Sequence, residues 1–290
     1  MKYSCLIILV LFFKTASSQL KSQHFKIYDS KAQRICTMEE AIESLSGKDI
    51  VFFGEEHNDP TGHLLELEIL KMLHLRNGKK QVLSMEMFET DVQIVLDEYL
   101  HNLIREKNFL KEARSWANYQ DYKPMVEYAR VHGLAVIAAN APSRYTNLVS
   151  RKGLKGLDSL TKAAKSWLPP MPIDTASGRY YENFLKTMGG HQVPGMQIYQ
   201  AQNLWDKTMA WSIRTHLKKH QGAKIFQING RFHSDEQLRA VAQLKKLKPS
   251  LKIGNISAFS DSTFKNPDWS KFSHLGDYVI LTDPDLKRTY

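Results

Sequence analysis

Five short runs of apolar residues recur along the chain, each bounded by polar or turn-forming residues. They cover residues 50–53, 82–87, 134–139, 225–228 and 278–281. Because successive positions are apolar, rather than alternate ones, these runs are typical of strands buried on both faces of a mostly parallel sheet.

Segments with apolar residues at helical spacing lie between these runs. One follows Asp59-Pro60-Thr61, and a second follows Thr90, where Gln93 completes a capping box. A long helix is predicted from about 199 to 218, and another after the capping box of Ser234 and Gln237. The alternation of strand and helix predicts an α/β fold, a mostly parallel, doubly wound sheet with a smaller helical cap domain.

Two stretches interrupt this alternation, and we interpret them as helical cap insertions at about 100–128 and 145–198. The α/β core then covers about 40–99, 129–144 and 199–290, within a single domain spanning 19–290. The second insertion contains several aromatic residues that we expect to be exposed, as a cap over a sheet edge would present them: Trp167, Tyr180, Tyr181 and Phe184.

The first 18 residues have the pattern of a secretory signal peptide. Lys2 precedes an apolar run, and Ala16-Ser17-Ser18 supplies small residues before Gln19. The run is too short to span a bilayer, which takes roughly 20 apolar residues. Removal of the segment would leave Cys36 as the one cysteine, so no internal disulfide is expected.

The composition is that of an ordinary globular protein, with 42% hydrophobic and 24% charged residues. The net charge of +10 would attract anions, including carboxylate-bearing ligands. The basic residues form no long block and no arginine–aromatic signature, so we expect no nucleic-acid partner.

Polar residues follow or interrupt the predicted strands near their carboxyl ends. In open α/β sheets, ligands bind at this edge. Glu55 and His57 follow the first run, Glu86 lies inside the second, Asn140 ends the third, and His233 comes shortly after the fourth. Carboxylates and imidazoles are ligands for divalent transition metals, and a carboxylate beside a metal-bound water is a general base. We therefore predict that these side chains meet in one crevice.

Each of these residues also has a structural interpretation. Glu86 needs a partner inside its apolar run, and that partner could be an arginine. His57 and His233 could be loop residues beside helix caps, and Asn140 could satisfy the backbone at a strand end.

At these positions the sequence resembles the ChaN-like haem-binding family of the Tiki and erythromycin-esterase superfamily. The resemblance covers nearly the whole chain after the signal segment. It rests on five blocks in order: Gly54-Glu55-Glu56-His57-Asn58-Asp59-Pro60, Met85-Glu86-Met87-Phe88-Glu89, Ala138-Ala139-Asn140-Ala141-Pro142, the stretch 199–210, and Asn229-Gly230-Arg231-Phe232-His233.

The resemblance implies a haem-binding protein of bacterial iron uptake. It implies two haems held face to face at a homodimer interface, with a tyrosine as the iron ligand; Tyr145, Tyr180 and Tyr181 are candidates, and Arg144 could pair with a haem propionate. An outer-membrane haem receptor is a possible partner. Such members are commonly lipoproteins, but no lipidated cysteine is evident here, which favours a periplasmic or envelope-associated protein secreted across the inner membrane.

Other branches of the superfamily are hydrolases, which leaves a second hypothesis open. In a metal-dependent hydrolase, His57, Glu86 and His233 would hold a divalent transition metal, Glu55 would act as general base, and Asn140 would orient water or substrate. A third hypothesis is a partner-binding scaffold that keeps these residues for structure alone.

Overall fold

A single eight-stranded sheet organises the computed structural model, which describes residues 22–175, 177–190 and 193–290. The strands are β1 Phe25–Asp29, β2 Arg34–Cys36, β3 Ile50–Glu55, β4 Gln81–Glu89, β5 Ala135–Asn140, β6 Lys224–Gly230, β7 Ile253–Ser260 and β8 Tyr278–Thr282. Their order across the sheet is β2-β1-β8-β7-β3-β6-β4-β5. The expected signal segment 1–18 lies outside the described residues.

Six of these strands, β3 to β8, run parallel to one another. The hairpin of β1 and β2 adds to β8 in the antiparallel sense. In the middle of the sheet β6 is inserted between β3 and β4, so the carboxyl ends of these three strands lie side by side.

Helices cover both faces of the sheet, which confirms the doubly wound α/β fold. The helices are α1 Met38–Ser46, α2 Pro60–Asn77, α3 Gln93–Leu100, α4 Glu106–Glu112, α5 Tyr119–His132, α6 Ser143–Lys152, α7 Lys162–Lys165, α8 Arg179–Thr187, α9 Ile198–Lys219 and α10 Ala240–Leu247. Alternate residues of β3 point to opposite faces: Val51 and Phe53 join the core under α1, α2 and α5, and Ile50 and Phe52 join the core under α9 and α10.

A third, smaller core lies in the region of the second predicted insertion. Tyr145 and Val149 of α6 pack there with Leu157, Leu168 and Ile173, against Ala201 and Leu204 of α9. The helices of the 100–128 stretch pack differently, because Phe109, Tyr122 and Met125 belong to the principal core.

The structure contains strands that the apolar runs did not indicate. The hairpin of β1 and β2 and the strand β7 were all missed, and β7 is the strand next to β3. It has polar residues at Asn255 and Ser257, both fully buried, which broke the apolar run. Asn255 Nδ2 donates to the carbonyl oxygens of Ser234 and Leu275, so the surrounding loops satisfy it.

Both capping-box predictions after residue 89 are wrong. Neither Thr90 nor Ser234 makes a side-chain cap. Instead the Gln93 amide bonds to the backbone of β5, and the Ser234 hydroxyl accepts from Asn229. The prediction of exposed aromatics is also wrong for Tyr180 and Phe184, which are both 3% exposed, although Trp167 is 39% exposed.

Cys36 is a buried free thiol in β2. Burial, together with the charges of Asp29 and Glu40, raises its pKa to about 11. None of the described helices is both long enough and apolar enough to cross a membrane.

Candidate functional site

The insertion of β6 between β3 and β4 forms a crevice at the carboxyl edge of the sheet. Glu55 is the last residue of β3, Glu86 lies near the end of β4, and His233 follows β6 in a single turn of 3-10 helix. The structure brings these three together with His57. His57 Nδ1 lies 2.8 Å from Glu55 Oε1, and His233 Nε2 lies 3.4 Å from Glu86 Oε1.

Two glycines allow the strand ends to approach this closely. A Cβ on Gly54 would lie 2.6 Å from Ser234 Oγ, and a Cβ on Gly230 would lie 2.8 Å from His57 Nε2. Real Cβ atoms do not approach other atoms so closely. Each glycine therefore leaves room for the imidazole or hydroxyl that faces it.

Glu86 is buried, and no arginine among the described residues pairs with it, so the arginine salt bridge considered above is not found there. Its Oε2 accepts from the backbone N–H of Gly230 at 2.8 Å, and its other oxygen faces His233. Burial alone would raise the pKa of Glu86, but His233, His57 and the Gly230 N–H together lower it. The carboxylate is thus held ionised inside the crevice.

His233 is oriented by a residue to which the sequence analysis assigned no role. Asp206, fully buried on α9, lies with its Oδ1 2.7 Å from His233 Nδ1. Burial alone would lower the pKa of His233, but the charges of Glu86 and Asp206 raise it to about 10. The one available signal was an acidic residue within the predicted long helix.

Behind the crevice Glu55 is enclosed by α2 and α5. Tyr122 donates its hydroxyl proton to Glu55 Oε1 at 2.7 Å, and His63 and Glu66 of α2 lie on the other side of the carboxylate. Burial raises the pKa of Glu55, but the hydrogen bond with His57 and the nearby His63 imidazole lower it overall. In contrast, burial and the facing Glu55 carboxylate raise the pKa of Glu66 well above its usual range.

The crevice can therefore hold protons or cations. His57 is its solvent-facing member, with a side chain 34% exposed, whereas the Glu55 side chain is 1% exposed. Burial alone would lower the pKa of His57, but Glu55 and Glu86 raise it.

Asn140, which the hydrolase hypothesis assigned to water or substrate, makes a backbone contact. Its Oδ1 accepts from the N–H of Ala141 at 2.9 Å.

The tyrosines considered as haem ligands lie on two helices, α6 and α8. Tyr180 is buried and donates its hydroxyl proton to Asp206. Tyr181 is half-buried against Phe184 and Tyr199. Tyr145 is buried in the small core under α6, where the Arg144 guanidinium lies 4.4 Å from its ring centre and also binds Asp91.

A separate groove of about 610 Å³ runs along the outer edge of β5. Its walls carry indoles, imidazoles and ammonium groups: Trp167, Trp211, His101, His216, His220, Lys79, Lys80 and Lys219. Burial and the neighbouring His220 and Lys219 lower the pKa of His216 to about 4. The groove thus combines its lysines and a neutral imidazole with the carboxylate of Asp97, whereas the crevice is lined by several carboxylates.

Superposition on a solved ChaN structure supports the fold. ChaN of Campylobacter jejuni, in a structure described as showing cofacial haem binding, superposes with a TM-score of 0.67 at 16% identity, covering 90% of this chain and 98% of that one. A mutant of the erythromycin esterase EreC in its open conformation gives a TM-score of 0.48 at 13% identity, over 90% of this chain and 83% of that one.

A curated plant protein is also similar, so the likeness extends beyond bacteria. Protein RETICULATA-RELATED 5, chloroplastic, of Arabidopsis thaliana is 28% identical over 163 residues, which is 54% of this chain. This chain spans only about a fifth, 22%, of that relative's length.

The family model described as haem-binding uptake, Tiki superfamily, ChaN matches residues 41–244. This range includes all five sequence blocks and every residue of the crevice. The chain belongs to the ChaN haem-binding uptake family of the Tiki superfamily.

Proposed function

We propose that this protein binds haem for iron acquisition in the bacterial envelope, and that the groove beside β5 holds the haem. Family membership indicates the ligand. The observation that carries the proposed location is the set of groups on the groove walls.

The groove matches the three chemical features of haem. Its volume of about 610 Å³ lies in the usual range of ligand pockets, roughly 300–1,000 Å³. Trp167 and Trp211 offer flat apolar faces for a porphyrin ring, and Lys79, Lys80 and Lys219 offer positive charge for the two propionates. The lowered pKa keeps His216 neutral, and the neutral imidazole is the form that ligates iron.

The crevice and the tyrosines fit haem less well. The carboxylates of Glu55, Glu86 and Asp206 would repel the propionates. Burial and the neighbouring Asp206 raise the pKa of Tyr180, which opposes formation of the tyrosinate that ligates ferric iron. Arg144 covers the ring of Tyr145. Ligation by Tyr181 stays a prediction.

Hemin titration of the full chain, followed by absorbance, tests the proposal. We expect a saturable shift of the Soret band at one haem per groove. His216→Ala combined with His220→Ala should weaken binding, whereas the triple change of Tyr145, Tyr180 and Tyr181 to phenylalanine should leave it unchanged. No Soret shift would reject haem binding; a loss confined to the tyrosine variant would reject the groove.

Export is part of the same proposal. We propose that the protein is secreted across the inner membrane, loses residues 1–18 and exchanges haem with an outer-membrane receptor. N-terminal sequencing of protein from the periplasmic fraction should begin at Gln19. Protein retained in the cytoplasm with Met1 intact would contradict this location.

A metal-dependent hydrolase is the second candidate, favoured by the convergence of His57, Glu55, Glu86 and His233. His57 faces solvent beside the buried Glu55 carboxylate, the arrangement expected if His57 held a metal with Glu86 and His233 while Glu55 acted as general base. Purified protein should then hydrolyse chromogenic esters or peptides when Zn²⁺ or Mn²⁺ is supplied, and His57→Gln should abolish the hydrolysis. Absence of turnover by the wild-type chain with either metal would reject this candidate.

A further inference from the structure

A second polar cluster lies behind the crevice, closed off from solvent. Its members are Glu55 of β3 with His63 and Glu66 of α2, which are 2%, 6% and 0% exposed. Their ligand atoms all lie within 4.8 Å of one another. The cluster is separate from the groove proposed for haem and from the set His57, Glu86 and His233.

The spacing of the three groups suits an ion between them. His63 Nδ1 is 3.1 Å from Glu55 Oε2 and 3.4 Å from Glu66 Oε2. Around a tetrahedral Zn²⁺ with nitrogen and oxygen ligands at about 2.0 Å, ligand atoms are about 3.3 Å apart. The observed distances lie on either side of that value.

The His63 ring is already oriented as a ligand would be. Its Nε2 lies 3.2 Å from the carbonyl oxygen of His57, to which an Nε2–H donates. Its Nδ1 then faces Glu55 and Glu66, which together raise the pKa of His63 to about 11, so a bound cation would replace the Nδ1 proton. Metal-binding histidines characteristically donate their other N–H to a carbonyl or carboxylate in this way, which fixes the tautomer.

Among the residues that the structure describes, none donates a hydrogen bond to two of the carboxyl oxygens in the cluster. They are Glu55 Oε2 and Glu66 Oε1, both fully buried. The 3.1 Å approach of His63 Nδ1 to Glu55 Oε2 lacks hydrogen-bond geometry. Buried carboxyl oxygens without a partner are costly, and a divalent cation would supply a partner to both.

We propose that Glu55, His63 and Glu66 form a buried site for a divalent transition metal, with Zn²⁺ as the best match. The site goes beyond haem binding and needs no residue of the groove. The metal would hold Glu55 from behind through Oε2 while Oε1 keeps its contacts with His57 and Tyr122. It would thereby position His57 at the front of the crevice.

Zn²⁺ titration of the full chain, stripped with a chelator, tests the site by calorimetry and elemental analysis. We expect one ion per chain. Glu66→Gln should greatly lower the affinity for Zn²⁺. The loss should exceed the roughly 10- to 100-fold seen when a residue that only hydrogen-bonds to a metal ligand is removed. Glu68→Gln is the matched control, because Glu68 lies on the same helix but pairs with Lys71 at the surface.

Glu86→Gln separates the two possible metal sites, and we expect it to leave Zn²⁺ affinity unchanged. The proposal is overturned if wild-type protein binds no Zn²⁺, or if Glu86→Gln removes binding while Glu66→Gln keeps it. X-ray absorption of zinc-loaded wild-type protein gives an answer that needs no variant to fold. One imidazole with oxygen ligands supports the buried site, whereas two imidazoles indicate His57 and His233 and reject it.

Discussion

At the residue scale, the crevice depends on the lack of a side chain at Gly54 and Gly230 as much as on its charged groups. Each glycine begins a Gly-x-x-His segment at the end of a strand, Gly54 as the last residue but one of β3 and Gly230 as the last of β6, and each leaves the space that a side chain from a neighbouring segment fills. The segment therefore combines a close approach with a functional imidazole three residues later.

Gly230→Ala should destabilise the protein. The new Cβ would lie 2.8 Å from His57 Nε2 and 2.9 Å from its Cε1, so the ring must move. Overpacking of this kind costs typically about 1–3 kcal/mol. Urea unfolding measures the loss, and Gly47→Ala, with nothing within 4 Å of its Cβ, is the control. Equal stability of the two variants would show that the close approach is not needed.

His216 should make the protein sensitive to acid. Its folded pKa of about 4 lies below the ordinary value of 6.5, mainly because of burial and then His220 and Lys219. Between pH 6.5 and 4 the unfolded chain therefore binds a proton that the folded chain does not, and stability falls as the pH falls.

Melting temperatures measured across this window test that expectation. His216→Gln should show a shallower decline than wild type between pH 6.5 and 4. The exposed His101 is the control position, and His101→Gln should follow the wild-type curve. An unchanged slope in His216→Gln would contradict the assignment.

At the element scale, the strands buried on both faces could be predicted and the others could not. Continuous apolar residues identified β3, β4, β5, β6 and β8. In β7 the buried Asn255 and Ser257 are satisfied by partners from distant loops, Ser234, Leu275 and Asp235, which no local pattern encodes. The capping-box predictions failed for the same reason, since Gln93 and Ser234 have tertiary partners.

Some residues of the candidate site could likewise be predicted from the sequence, and others could not. Glu55, His57, Glu86 and His233 could be proposed as neighbours because the ends of parallel strands share one edge. Asp206, His63 and Glu66 reach the site from α9 and α2, and their approach depends on how each helix packs on the sheet. His63 and Glu66 are three residues apart on one helix, which is the only local hint they gave.

Gln93→Ala should expose the outer edge of β5. The Gln93 side chain donates to the carbonyl of Val136 at 2.9 Å and accepts from the N–H of Ala138 at 2.7 Å. Loss of these partners should cost about 1–3 kcal/mol and leave an edge on which another chain can pair. Urea unfolding and light scattering measure both effects.

Gln221→Ala is the matched control for that change, because Gln221 is exposed and borders the same groove. It should leave both stability and scattering unchanged. If Gln93→Ala behaves like this control, the amide does not protect the edge of the sheet.

At the scale of the whole molecule, opposite charges lie in different places. The crevice gathers carboxylates, although the chain has a net charge of +10, and the groove gathers lysines and imidazoles. The two regions therefore suit ligands of opposite sign. One protein could bind a cation and an anionic porphyrin without competition between them.

Hemin should convert the protein into a dimer. The groove is open along β5 and its Trp167 is 39% exposed, so a bound haem would keep one face uncovered, which a second chain could cover. Sedimentation equilibrium should show the mass of two chains at saturating hemin. His216→Ala with His220→Ala should stay at the mass found without hemin. A wild-type mass that does not change on hemin addition would contradict the dimer.

The late position of β6 in the chain also bears on biosynthesis. β3 and β4 are synthesised long before residues 224–230, yet in the finished sheet they flank that strand and do not pair with each other. A nascent chain must keep two apolar strands apart until the middle one emerges from the ribosome. Such long-range pairing folds slowly and exposes apolar surface meanwhile, so this protein should depend on chaperones during synthesis.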